Sequence, residues 1–499
     1  MTDHEKSAMS VQELEELLQL GLLPPTDAVV VEITPWRKAV NRVLIGLALN
    51  TVTFHFLNLD YILPGIGILL MILGFRALRT ENRGFRLCWF VTLFRTADFI
   101  LWTVLSTTIW RTAFSETVPA LVLNLCNLLV PFVLALGLRD GFRAVQRKAG
   151  VPVQTKGITA LILWYLAVCA LGLLQYNGLI LSGILVLAFV FIIRSLYRLS
   201  FALDEAGYVI RPAPRRCSDR VMVLVLLAFT AAGMAVGYLF FDKYPMHWAE
   251  TVRTERQDLT EIRENLRDLG FPDVVLQDLT EADLEACAGA QYVYTVQKDH
   301  PVNDGRQVTT VTEGSTVIDT VYDAKELRIT SAAVLLAGEP EEWRLFHHFE
   351  WVEDPGFFGT DALQFWPVDY GSLSMGWRLT GDYTGQVLYD ADGKTYVSPY
   401  YSLGSVIKET EGFFGGSYVA TDSFAAFSFP DGKDRCRGYV TYPATKVMDG
   451  CILSSNLNFI HQQSKWRFPV QSALEFGQPS VFYSDKNYIA LQDDILLQP

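Results

Sequence analysis

The chain has 499 residues, of which 50% are hydrophobic and 19% charged, a balance too apolar for one ordinary soluble domain. Its 41 basic and 54 acidic side chains leave a net charge of -13, which excludes nucleic acid as a default partner, since phosphate binding needs a basic face. Residues 1–242 carry 21 basic and 16 acidic side chains and residues 243–499 carry 20 and 38, so the sign reverses where the apolar stretches stop.

Residues 1–38 are polar and acidic, without the basic start, short apolar core and small-residue site of a cleaved signal peptide. They are expected to form a cytoplasmic segment in which Ser10 and Glu13 make a capping box. Val11, Leu14, Leu17 and Leu18 then share a helical face that ends at Gly21. That short amphipathic helix either docks a cytoplasmic protein partner or packs under its own bundle.

Spanning a bilayer takes about 20 mostly apolar residues. Seven stretches qualify, at 39–57, 61–79, 87–109, 118–138, 157–176, 178–200 and 220–241. Lys and Arg collect on the cytoplasmic side of membrane proteins. With the N-terminus inside, the inner segments from Arg37 to Arg220 hold eighteen of them, while the short outer connections hold only Arg111. The chain then reads as seven spans with a cytoplasmic N-terminus and an extracytoplasmic C-terminal region.

Ionisable groups inside a membrane are costly and mark site hypotheses. Arg95 and Asp98 lie i,i+3 on one face of the third span, and Asn127 of the fourth falls at about the same depth. Asn124 lies one turn nearer the outside and Asn50 of the first span is near mid-depth. Asn50, Arg95, Asp98, Asn124 and Asn127 are therefore the candidate intramembrane polar cluster. It is either the lining of a cavity for an ion or small solute, or an Arg–Asp pair neutralising itself with amides bridging the helices. Pro64 and Pro131 lie within spans, and no internal repeat supports a paired-halves transporter.

Beyond the last span, Leu259, Ile262, Leu266 and Leu269 recur at helical spacing up to Gly270, and Thr280 caps a second short helix. This is expected to be an extracytoplasmic helical neck over 242–289. From 290 the period becomes two: Trp343, Leu345, His347, Phe349 and Trp351 alternate with Arg344, Phe346, His348, Glu350 and Val352. Turn chemistry follows at 313–314, 390–393, 415–416 and 430–432. Short strands at this spacing predict a sandwich- or jelly-roll-like domain. The whole is thus an α-helical seven-span membrane bundle (39–241), a helical neck (242–289) and an extracytoplasmic all-β domain (290–499).

Catalytic and metal motifs are near misses. His347 and His348 are adjacent on a strand and point to opposite faces, so they cannot share a metal. Gly393-Lys394-Thr395 lacks the first glycine of a phosphate-binding loop and sits in a hairpin turn. Asp390 and Asp392 resemble part of a calcium loop whose closing position is Pro399 rather than Glu. Residues 372–376 fall one glycine short of a nucleophile elbow. No catalytic residue, metal ligand or cofactor site is assigned. Of seven cysteines, Cys436 and Cys451 flank an expected hairpin and could form a disulfide. The chain has no N-x-Ser/Thr sequon, which favours a bacterial plasma membrane over a glycosylating secretory route. The functional expectation is a non-enzymatic sensor, receptor or signal-coupling protein whose outer β domain binds an envelope or environmental ligand, partnered by the lipid bilayer. The alternative is a transporter or permease subunit using Arg95 and Asp98.

Overall fold

The computed structural model describes residues 34–53, 56–174, 178–210, 217–251, 256–302, 306–312, 315–321, 326–366, 376–411, 417–477 and 487–497. The expected helix at 10–21 and the turns at 313–314 and 415–416 lie outside the described residues. The chain forms two compact units, one of residues 1–104 and 112–233, the other of residues 105–111 and 234–499.

The first unit is helical. Its elements are α1 (Pro35–Thr51), α2 (Leu59–Leu78), α3 (Arg83–Leu105), α4 (Trp110–Ser115), α5 (Val118–Lys148), α6 (Lys156–Leu173), α7 (Leu179–Glu205) and α8 (Asp219–Phe240), the ends of α3, α4 and α8 crossing the unit boundaries. Among the described residues, six helices are long and apolar enough to cross a membrane: α2, α3, α5, α6, α7 and α8. The stretch expected as the first span is the 17-residue α1, about 25 Å long, with Arg37, Lys38 and Arg42 in its first half. At 31 residues, α5 is about 46 Å long and outruns a hydrocarbon core of about 30 Å; its apolar stretch gives way at Arg139 to a charged end that includes Asp140, Arg143, Arg147 and Lys148.

Glycines set the closest helix approaches. A Cβ on Gly46 of α1 would stand 2.5 Å from the Gly67 carbonyl of α2, and one on Gly74 would stand 2.7 Å from the Ala39 carbonyl. The two helices are therefore antiparallel and nearly in backbone contact. Gly84 of α3 likewise faces the Gly137 carbonyl of α5 at 2.5 Å. At one end of this unit, ion pairs join the start of α1 to later elements: Arg37 to Asp204 at 3.8 Å and Arg42 to Asp219 at 3.1 Å. Arg76, at the end of α2, also reaches Asp219 at 3.5 Å. Beside them, the fully buried Trp36 donates to the Ser200 carbonyl and packs on Phe85, Phe142 and Tyr208.

The second unit is β-rich, with two antiparallel sheets and a hairpin. Its strands are β1 (Ala249–Glu250), β2 (Ala290–Pro301), β3 (Arg306–Thr312), β4 (Ser315–Val321), β5 (Glu326–Leu336), β6 (Glu342–Trp351), β7 (Asp361–Trp366) and β8 (Trp377–Leu379). Then follow β9 (Thr384–Ala391), β10 (Lys394–Ser398), β11 (Ser402–Glu411), β12 (Ser417–Phe427), β13 (Asp434–Lys446), β14 (Leu453–Gln462) and β15 (Tyr488–Leu497). The eight-stranded sheet runs β1-β10-β9-β13-β6-β5-β2, with β8 also on β13; the five-stranded sheet runs β11-β12-β7-β14-β15. One core joins them, with Leu345, Phe349 and Val440 from the first sheet and Phe365, Phe427 and Phe459 from the second.

The segment expected as a neck forms α9 (Gln257–Asp268), α10 (Asp273–Asp278) and α11 (Glu281–Glu285). Thr280 caps α11 by accepting from the Asp283 N–H at 3.1 Å, and Gly270 closes α9 with φ +90°. These helices bury Leu259, Leu266, Val275 and Leu284 against Ala332, Val334 and Phe346 of the eight-stranded sheet, as a layer on it. That is why both alternating sets of β6 are buried: one set meets the five-stranded sheet and the other meets the helices.

The Cys436–Cys451 disulfide does not form; all seven cysteines are free thiols. Strands β13 and β14 lie in different sheets and are not a hairpin. Cys436 sits at the start of β13, whereas Cys451 follows its far end, where it packs on Gly376. The ten steps from residue 436 to the end of the strand span about 33 Å, against a Cα–Cα reach of roughly 7 Å at most for a disulfide.

Candidate functional site

The polar cluster expected in the helices is assembled from α1, α3 and α5. Arg95 donates to the Asn50 side-chain oxygen at 2.9 Å and to that of Asn127 at 3.2 Å. The Asn127 amide in turn donates to Asp98 at 2.9 Å. No direct Arg95–Asp98 ion pair forms among the described residues; Asn127 stands between them. Asn124 is exposed one turn away and makes no hydrogen bond among the described residues, so it stays out of the cluster. Asp98 is buried, and its Oδ1 has no partner among the described residues; neither has the Asn50 amide nitrogen.

Arg95, Asn50 and Asn127 line a cavity of about 230 Å³ whose other walls are mostly apolar, including Met71, Pro131, Leu134 and Trp164. Three hydroxyls complete the polar part of the wall: Thr51 and Tyr165, 3.3 Å apart, and Thr92, which donates to the Cys88 carbonyl. The sequence reading missed Thr51, Trp164 and Tyr165: hydroxyls and aromatics are ordinary in spans, and only the packing of α6 against α5 brings Tyr165 here. The cavity is smaller than the roughly 300–1,000 Å³ usual for drug-sized ligands, and its polar wall is richer in donors than in free acceptors. A small, largely apolar molecule with one acceptor or anionic group matches that lining.

Buried polar groups also occupy both faces of the eight-stranded sheet. On the helix side, the Asp278 carboxylate accepts from Arg437 Nε at 2.9 Å and lies 2.9 Å from His348 Nε2. Burial alone would raise this carboxyl, but the His348 hydrogen bond and the Arg437 charge outweigh it and hold it below the ordinary value. Asp283 binds Arg344 at 2.9 Å and Tyr439 at 2.6 Å. On the other face His347 lies between two hydroxyls, Ser331 and Ser455, and burial lowers its pKa from 6.5 to about 4. His347 and His348 thus serve opposite faces, and neither opens to solvent. These groups hold layers together.

The near-miss motifs resolve as structure. Asp392 and Gly393 both have positive φ, 52° and 74°, the backbone of a two-residue hairpin turn between β9 and β10. Lys394 pairs with Glu250 at 2.8 Å, and Asp390 accepts from Thr395 and pairs with Arg437. Residues 372–375 lie outside the described residues.

The chain matches no family model and no curated protein. Two solved structures match part of the chain. One concerns pH-induced modulation of Streptococcus parasanguinis adhesion by Fap1 fimbriae, at 11% identity over 34% of this chain and 76% of that one, with a TM-score of 0.16. The other is AvmM, which catalyses macrocyclization in alchivemycin A biosynthesis, at 11% identity over 38% of this chain and 96% of that one, with a TM-score of 0.17. At such scores neither carries a fold or a function over to this chain.

Proposed function

We propose that this chain is a non-enzymatic sensor or receptor of a bacterial plasma membrane, with seven spans, a cytoplasmic N-terminus and an extracytoplasmic β-sandwich. On this reading a small molecule, held in the cavity at Arg95, is the signal. The observation that carries it is the Asn50–Arg95–Asn127–Asp98 chain of hydrogen bonds at the wall of that cavity. A guanidinium in a membrane interior is costly, and here its bonds go to neutral amide oxygens at the edge of an open volume. The seventh span is supported by the antiparallel contact of α1 with α2 and by the ion pairs that join the first half of α1 to the end of α7 and the start of α8. The sandwich is supported by the core shared between the two sheets.

The test is thermal unfolding of the full chain in detergent against a panel of small monoanions and neutral amphiphiles. A ligand at a hundred times its Kd adds about 2.7 kcal/mol of stability. A saturable shift that Arg95→Gln removes supports the reading; a panel without any shift, or a shift that survives Arg95→Gln, overturns it. A second reading, a transporter, is favoured by the buried Asp98 oxygen that has no partner among the described residues. Under it, Asp98→Asn abolishes flux in proteoliposomes while the binding shift persists.

A further inference from the structure

Trp466 is 76% exposed, an unusual state for the largest apolar side chain of a folded region, in the connection that follows β14. Its place is fixed by the last turns of α8. The Tyr238 hydroxyl donates to the Arg467 carbonyl at 2.7 Å, and the Tyr238 and Trp466 rings lie 5.7 Å apart. Lys465 pairs with Asp242 at 3.4 Å, just past the end of that helix. The same last turn exposes Phe240 at 73%. All these residues belong to one compact unit, so the indole stands at the level where the apolar run of α8 gives way to charge.

An α-helix that crosses a bilayer brings its terminal residues to the boundary between acyl chains and headgroups, where Trp and Tyr collect. Lys465 and Arg467 flank the indole, and cations beside an interfacial aromatic suit anionic headgroups. From this geometry we infer that the 463–468 segment is a membrane-interface anchor of the β-rich region, with Trp466 seated in the headgroup layer of the bilayer that α8 crosses. The occupant of this exposed face is lipid. A water-facing indole would leave the rings of Trp466 and Phe240 in water at this depth, and a protein partner would have to displace lipid from the end of α8.

The experiment uses the full chain reconstituted in vesicles of phosphatidylethanolamine and phosphatidylglycerol. The emission of Trp466 is isolated as the difference between the wild-type protein and Trp466→Phe, which keeps an aromatic ring and the fold. The expected result is that this difference emission is quenched several-fold more by lipids labelled near the carbonyl level than by lipids labelled at the chain ends, and hardly by aqueous iodide. Stronger quenching by iodide than by any lipid label overturns the inference in favour of water. Shielding from both quenchers overturns it in favour of a protein cover. Trp466→Ala, purified alongside, reads the same difference should the phenylalanine itself take up the site.

Discussion

His347 Nε2 lies 2.7 Å from the Ser455 hydroxyl, so an imidazole on β6 of the eight-stranded sheet meets β14 of the five-stranded one. Its Nδ1 lies 2.8 Å from Ser331, which leaves neither nitrogen unpaired, and the ring has no exposure to water. Ser455 also bonds the Tyr442 hydroxyl, extending the polar thread through an otherwise apolar core.

This burial gives the protein a pH-dependent weakness. In the folded state His347 takes a proton only near pH 4, whereas the unfolded chain takes it near 6.5. Between those values the unfolded state binds more protons, so stability falls as pH falls from about 6.5 to about 4 and this contribution changes no further below that. The full gap corresponds to about 3 kcal/mol. Denaturant unfolding of the β-rich region across this window should show the loss, and His347→Leu should flatten it, whatever its own cost at neutral pH. A wild-type curve that is level from 6.5 to 4 refutes the assignment.

Asp278 titrates in a different window. Its folded carboxyl lies below the ordinary range, so its contribution is complete above about pH 4 and is lost as pH falls through the folded value. Asp278→Asn leaves Arg437 with Asp390 alone and His348 without its carboxylate. Breaking one partner of a buried pair costs about 3 kcal/mol or more. Equilibrium unfolding at neutral pH reads this cost, and protection of α10 amides in hydrogen exchange should fall with it.

The α1–α2 contact should be intolerant of a single methyl group. Gly46→Ala puts a Cβ 2.5 Å from backbone, which cannot be relieved by a rotamer change, and overpacking of this kind costs about 1–3 kcal/mol. Gly183→Ala in α7 meets nothing within 4 Å and should be neutral or stabilising by up to about 1 kcal/mol. Melting temperatures of the two variants in one detergent compare the effects directly.

Topology has a binary readout. With α1 crossing, tags on the two termini lie on opposite faces of the membrane; with six crossings they share a face. Protease protection in sealed vesicles, with one tag degraded and the other retained, is the outcome the seven-span reading requires.

Run length alone made six spans readable, because a bilayer demands about 20 apolar residues and little else competes for such runs. The first stretch, expected over 39–57, forms α1 over Pro35–Thr51, shifted toward the N-terminus and only 17 residues long. Depth counting brought Asn50, Arg95, Asp98 and Asn127 together because α-helical rise is constant. It also admitted Asn124, which lies only about 60° round the helix from Asn127 but one turn away, where it is exposed. The apolar stripe of α9 was plain, yet its partner was not: amphipathicity says that a face is covered and not by what. Pairing of β13 between β6 and β9 was equally hidden, and with it the fate of Cys436 and Cys451. Strand order depends on contacts far apart in sequence, which no local pattern carries.

The strand order has a consequence for synthesis. Strands β5 and β6 can pair as soon as both have been made, but the other side of β6 waits for β13, where Glu350 meets Arg437. Strand β7 has no early neighbour at all, since β12 and β14 flank it. As the β-rich region emerges from the ribosome, an open edge in each sheet therefore persists until the chain has grown well beyond residue 430. Such edges are templates for pairing with other chains, and non-local closure is slow. The nascent region is at its most vulnerable late in translation, and a chain cut short before β13 keeps the exposed edge of β6 permanently.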